Sequence, residues 1–161
     1  MIARVPPVRA ATLAMVGVAV FGSMFYGASL SRAVGSDALG TAVWLTICAG
    51  LGWAALIPSL TVASKLPLAT VLNECLISIC FGEAVLAVGA LLNYFGFASG
   101  VGPNAVVVLV SNVVMAAVLA VGLARRGCPA WKTLALWLFA LDGVGALAFW
   151  ALCFLLGGVG A

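Results

Sequence analysis

The residues best suited to chemistry in this sequence are two acids that lie deep inside apolar stretches. Glu83 falls within the stretch 68–95, and Asp142 falls within the stretch 132–156. A carboxylate in hydrocarbon costs about 2.5–3.5 kcal/mol, so each acid needs a proton, a polar neighbour or a wet cavity. An acid so placed is suited to proton transfer, to cation binding or to a hydrogen bond between helices.

Two uncharged polar residues are predicted at the same depth as these acids. With a rise of about 1.5 Å per residue through a hydrocarbon core about 30 Å thick, Glu83, Asn112 and Asp142 fall near the middle of their stretches. Ser111 directly precedes Asn112. We therefore predict an intramembrane polar layer formed by Glu83, Asp142, Asn112 and Ser111. At least one acid in this layer is expected to be protonated and hydrogen-bonded to Asn112, Ser111 or the other acid.

Asn73 and Glu74 are secondary polar positions in the same stretch as Glu83. Helical spacing places Asn73 on one face with Glu83, and this face is predicted to point into the bundle. Glu74 falls on roughly the other side of the helix near its cytoplasmic end. There its carboxylate is expected to reach water or Lys65.

The sequence offers few other groups for catalysis or cofactor binding. It has no histidine and five cysteines, and no two of the cysteines form a C-x-x-C pair. Metal sites need clustered ligands, and phosphate-binding loops and nucleophile motifs are also missing from the sequence. We therefore predict no catalytic residue, no metal site and no cofactor, and we interpret the cysteines as packing residues.

The amino-acid composition indicates the class of protein that contains these residues. Of the 161 residues, 66% are hydrophobic and 7% are charged, and the mean hydropathy is +1.32. Soluble globular domains carry far more charge, so we interpret the chain as one integral membrane domain over residues 1–161. The predicted fold is all-α, a compact bundle of five transmembrane helices at about residues 10–31, 41–64, 68–95, 104–124 and 132–156.

Local signals refine the predicted helices. Pro58 predicts a kink or break near Ile57, and Gly127 followed by Pro129 predicts the end of the fourth span. Small residues recur every four positions in the first span, which favours close packing against another helix. These residues are Ala19, Ser23, Gly27 and Ser31.

The basic residues predict the orientation in the membrane. Cytoplasmic segments are enriched in lysine and arginine, and a cytoplasmic N-terminus with an external C-terminus satisfies this rule. Only Arg32 then lies outside, while six basic residues lie inside: Arg4, Arg9, Lys65, Arg125, Arg126 and Lys132. The chain is expected to be a multi-pass protein of a bacterial-type inner (cytoplasmic) membrane. Nucleic acid is not an expected partner.

Two short segments resemble the Yip1-type membrane proteins. Phe25-Tyr26-Gly27 lies late in the first span, and Ile57-Pro58-Ser59-Leu60 lies late in the second. Five closely spaced spans with a cytoplasmic N-terminus and a very short far-side tail are also similar to that family. The resemblance implies a non-enzymatic membrane organiser that works through other membrane proteins, with no catalytic residues to carry over. The intramembrane acids map onto no motif of that family.

Three interpretations of function remain open on the residues alone. In the favoured one, the chain is a non-enzymatic accessory or scaffold subunit that contacts membrane lipids and assembles with itself or other membrane subunits. In the second, it is a small proton- or cation-coupled transporter that uses Glu83 and Asp142. The third, a membrane enzyme, is least favoured because the sequence lacks the motifs named above.

Overall fold

The computed structural model describes residues 24–29, 38–97, 100–144, 147 and 151, and these residues contain no strand. The described helices are α1 (residues 24–29), α2 (Ala38–Ser64), α3 (Leu68–Tyr94), α4 (Val101–Ala124) and α5 (Ala130–Trp137). A π-helical segment, Leu138–Val144, directly continues α5. The protein is therefore all-helical over its described part, as the composition predicts.

Among the described residues, three helices are long and apolar enough to cross a membrane: Ile47–Ser64, Leu68–Tyr94 and Gly102–Ala124. They coincide with the second, third and fourth predicted spans and so support the prediction of a helical membrane protein. Most of the first predicted span, including Ala19, Ser23 and Ser31, lies outside the described residues, as does the end of the fifth. The count of five spans stays a prediction.

Helix α2 does not break at Pro58, because one helix runs from Ala38 to Ser64. Nearby hydroxyl groups bond back to carbonyl groups of the preceding turn: Ser59 donates to the Ala55 oxygen over 2.8 Å and Thr61 to the Ile57 oxygen over 2.8 Å. Proline is tolerated inside membrane helices because neighbouring groups adjust locally around it. The predicted break is therefore wrong.

Glycines end two of the helices through the same hydrogen-bonded motif. At the end of α4, Gly127 has φ +90°, its amide donates to Ala124, and the Cys128 amide donates to Leu123. At the end of α3, Gly96 has φ +76° and takes part in an equivalent pair of bonds. A left-handed residue after the last turn satisfies carbonyl groups that the helix leaves open. The predicted stop at Gly127 is confirmed.

The core lies where α2, α3, α4 and α5 meet. Its fully buried side chains include Leu56 and Leu60 from α2, Val71 from α3, and Leu119 and Leu123 from α4. The α5 segment closes this core through Trp137, whose ring meets the Trp53 ring edge-on with centroids 5.4 Å apart. The most extensive contact between any two described elements joins α3 and α4, and this pair positions the candidate site.

Candidate functional site

Helices α3 and α4 approach closely at a glycine. A Cβ atom added at Gly82 would overlap the Met115 side chain. The α3 and α4 backbones can therefore approach closely here only because residue 82 has no side chain. Two hydrogen bonds cross the interface nearby: Ser78 donates to the Met115 oxygen over 2.7 Å, and Ser111 donates to the Gly82 oxygen over 3.0 Å. Small residues and cross-helix hydrogen bonds are the usual means of holding membrane helices together.

The buried face of α3 is only partly the predicted one. It contains Glu83 as predicted, but Asn73 is exposed. The buried residues of this helix are Val71, Glu74, Cys75, Ser78, Gly82, Glu83, Gly89 and Ala90. Because α3 is apolar on all sides, hydrophobic periodicity gives little guidance, and the positions of its small residues decide which face packs.

Two members of the predicted polar layer lie at one level of the α3–α4 interface. Glu83 is 7% exposed and Ser111 is 1% exposed, and Ser111 bonds to the residue that precedes Glu83. Asn112 points elsewhere, since its amide donates to the Val108 oxygen of its own helix over 3.2 Å. Asp142 lies in the π-helical segment, and its side chain is outside the described part of the structure.

Glu74 lies in the α3–α4 interface and pairs with a residue beyond the end of α4. Its carboxylate is 3.3 Å from the Arg126 guanidinium, and the residue is 8% exposed. Gly122 makes room for this group, because a Cβ there would overlap the Glu74 carboxylate. The expected contact was water or Lys65. Arg126 takes that place because α4 runs antiparallel to α3 and ends beside Glu74.

A groove of about 530 Å³ opens between α3 and α4 next to this ion pair. Its polar end is formed by Glu74, Arg125 and Arg126. The remaining wall is apolar or small: Ile77, Phe81, Ala117, Val118, Val121 and Gly122. The groove is thus charged at one end and apolar along the rest of its length, and it falls in the size range of small-molecule sites.

A buried polar cluster at the other end of α3 and α4 was not predicted. Asn104 accepts hydrogen bonds at Oδ1 from the Tyr26 hydroxyl over 3.0 Å and from the Asn93 amide over 2.7 Å. Its own amide donates to Asn93 Oδ1 over 3.1 Å and to the Gly100 oxygen over 2.9 Å. Asn93 also donates to Ser29 over 3.4 Å. One residue therefore ties α1, α3 and α4 together.

We expect Arg126→Gln to lower the free energy of unfolding by less than about 1 kcal/mol, because the Arg126 side chain is 53% exposed and water screens the pair. Thermal unfolding in detergent at low and high salt measures this effect, which salt should reduce. Arg125→Gln is the matched control, since Arg125 forms no ion pair with any acid in the described segments. Equal losses in the two variants would contradict a specific Glu74–Arg126 interaction.

Comparison of the chain with protein-family models, with curated proteins and with solved structures finds no match. The resemblance to Yip1-type proteins therefore stays a prediction. Within the described ranges, no group of three metal-ligating side chains lies together.

Proposed function

We propose that the chain is a non-enzymatic integral membrane protein that acts as an accessory or scaffold subunit, assembling with itself or with other membrane proteins. One observation carries the proposal: buried polar side chains along the α3–α4 interface join helices to one another. Ser78 and Ser111 bond across the interface, and Asn104 joins three helices. Polar groups used in this way stabilise a helical framework.

The surface of the bundle supports the assembly part of this proposal. Within Ile47–Ser64 17% of the residues are buried, compared with 33% within Leu68–Tyr94. Between Ile47 and Ser64, helix α2 therefore has few fully buried residues and leaves surface to lipid or to a partner. Large apolar side chains such as Val62, Leu51 and Ile47 are exposed along it.

The basic residues support the proposed five-span topology with a cytoplasmic N-terminus in a bacterial-type inner membrane. Lys65 follows α2, Arg125 and Arg126 follow α4, and Lys132 lies in the first turn of α5. Because α3 and α4 are antiparallel, these positive charges gather at one end of the helices. Such clustering is typical of the cytoplasmic side.

The mass of the purified protein in mild detergent or in lipid nanodiscs tests the proposal. We expect native mass spectrometry to show more than one copy of the chain, or the chain with a second membrane subunit at fixed stoichiometry. The proposal would be contradicted if the chain stays a monomer with no second protein subunit in lipid nanodiscs, at a protein-to-lipid ratio like that of the membrane.

A second candidate function, proton- or cation-coupled transport, is supported by two observations. Glu83 is 7% exposed within a helix long enough to span the membrane. Asp142 lies on a π-helical segment, a geometry that is frequent at functional sites. In reconstituted vesicles this function requires a flux driven by a pH gradient that Glu83→Gln abolishes and Asn112→Leu leaves intact. A flux unchanged by Glu83→Gln would exclude that residue from the mechanism.

A further inference from the structure

The groove between α3 and α4 combines a charged end with an apolar wall. At the charged end, the two guanidinium groups of Arg125 and Arg126 and the carboxylate of Glu74 leave a net charge of +1. Glu74 engages Arg126, and no acid in the described segments pairs with Arg125. Among the described residues that line the groove, Arg125 is thus the cation without an acid partner, and we take it as the group that meets an anion from outside the chain.

The apolar wall runs away from this end along both helices. Glu74 to Phe81 spans roughly 10 Å of α3 at about 1.5 Å per residue. Phe81 is 54% exposed and Val121 is 51% exposed at the mouth of the groove, so the groove opens sideways on a surface of apolar helices. A molecule that enters from the lipid phase reaches it without crossing the bundle.

We propose that this groove binds one anionic phospholipid, whose phosphodiester group contacts Arg125 and whose acyl chain lies along Ile77, Phe81 and Val121. A phosphodiester carries one negative charge and thus neutralises the net charge of the groove end. Arginine binds phosphate oxygens with two parallel hydrogen bonds. Basic pockets between membrane helices are known to hold anionic lipid head groups, and the apolar wall favours a whole lipid over a small anion.

The Glu74–Arg126 pair sets the strength of this site. Gly122 leaves the space that the Glu74 carboxylate occupies, and that carboxylate both engages Arg126 and repels a phosphate. Removing the negative charge with Glu74→Gln therefore frees a second guanidinium group for the lipid. We expect Glu74→Gln to tighten lipid binding, whereas Arg125→Gln should weaken it.

Native mass spectrometry of the full chain, titrated with defined lipids in a neutral detergent, tests the proposal. We expect one phosphatidylglycerol molecule to bind about 10-fold more tightly than phosphatidylcholine, which has no net charge. Inorganic phosphate at equal concentration should not displace the bound lipid, since it cannot contact the apolar wall. Displacement by phosphate alone would overturn the proposal in favour of a simple anion site.

The variants separate the groove from the general positive charge of this end. Arg125→Gln should weaken phosphatidylglycerol binding about 10-fold, because glutamine is uncharged and its amide can replace at most one of the two parallel hydrogen bonds. Ala117→Phe should weaken it by filling the apolar wall without changing the charge. Lys132→Gln is the matched control, because it removes the same charge outside the groove, over the exposed Trp131 ring.

Equal binding of phosphatidylglycerol and phosphatidylcholine would overturn the proposal, and so would an equal loss in Arg125→Gln and Lys132→Gln. If Arg125→Gln fails to fold, Ala117→Phe and Glu74→Gln decide the matter, since they are expected to change affinity in opposite directions. Lipid binding by a monomer would leave this inference intact while contradicting the scaffold proposal, so the two can fail separately.

Discussion

Gly82→Val is expected to lower the free energy of unfolding by about 3 kcal/mol, at the upper end of the range for overpacked interiors. Even a single Cβ at this position would overlap the Met115 side chain, and valine adds two further methyl groups. The helices must then separate, which stretches the hydrogen bond from Ser111 to the Gly82 oxygen. Unfolding of the detergent-solubilised protein by heat or by denaturing detergent measures the loss.

Gly50→Val is the matched control for this substitution. Gly50 lies in α2, another apolar helix, and a Cβ added there meets no atom within 4 Å. Its expected effect is within about 0.5 kcal/mol. A rescue adds a second test: Gly82→Ala combined with Met115→Ala should cost less than the sum of the two single changes, because truncating Met115 vacates the space that the added methyl group needs. Similar losses at positions 82 and 50 would contradict close packing at Gly82.

The helices could be predicted from the sequence because their signals are local. The apolar stretches from 41 to 124 are long enough to span a membrane, and α2, α3 and α4 occupy them. Gly127 marks the end of α4 because its positive φ depends on its own lack of a side chain. At Pro58 the predicted break is wrong, because the local signal of a proline does not include the surrounding membrane helix, which continues through it; the predicted kink stays a prediction.

The packed face of α3 could not be predicted by the same means. A helix that is apolar all round has no polar side to exclude from the core, so helical spacing alone predicts Asn73 inside, whereas the structure exposes it. The structure instead buries the face that carries Ser78 and Gly82. Which small residues of α3 lie in the interface depends on the side chains of α4 that pack against them. The sequence of α3 alone therefore cannot predict its packed face.

The hydrogen-bond and ion-pair partners of the polar residues also could not be predicted from the sequence pattern. Depth in the membrane predicts Asn112 beside Glu83, yet the Asn112 amide bonds to its own helix. Glu74 meets Arg126 because of the antiparallel register. One signal could have revealed the Asn93–Asn104 pair: each asparagine stands three or four residues from a glycine of the same connector, Gly96 or Gly100. In an antiparallel pair of helices, such positions face each other.

Asn104→Leu is expected to lower the free energy of unfolding by about 1–2 kcal/mol. The change keeps a side chain of similar size but removes the Oδ1 acceptor shared by the Tyr26 hydroxyl and the Asn93 amide, and the amide that donates to Asn93 Oδ1. The Tyr26 hydroxyl keeps the main-chain oxygen of residue 104, 3.2 Å away, and the Asn93 amide keeps Ser29. Each buried polar group left without a partner costs about 1–3 kcal/mol, whereas a hydrogen bond between membrane helices contributes about 0.6 kcal/mol on average. The expected loss lies between these figures, because the cluster is buried, with Tyr26 and Asn104 both 2% exposed, but both donors keep a second acceptor.

Asn112→Leu is the control for this prediction, because it makes the same change in the same helix at an amide that bonds only within α4. Its expected effect is within about 0.5 kcal/mol. Asn93→Leu and Asn104→Leu should be strongly non-additive, with a coupling of at least about 1 kcal/mol, since removing both amides removes the unsatisfied partner as well. Additive losses, or equal losses at positions 104 and 112, would show that the cluster does not hold α1, α3 and α4 together. The scaffold proposal would then lose its strongest support, because the buried polar groups would no longer account for the stability of the bundle.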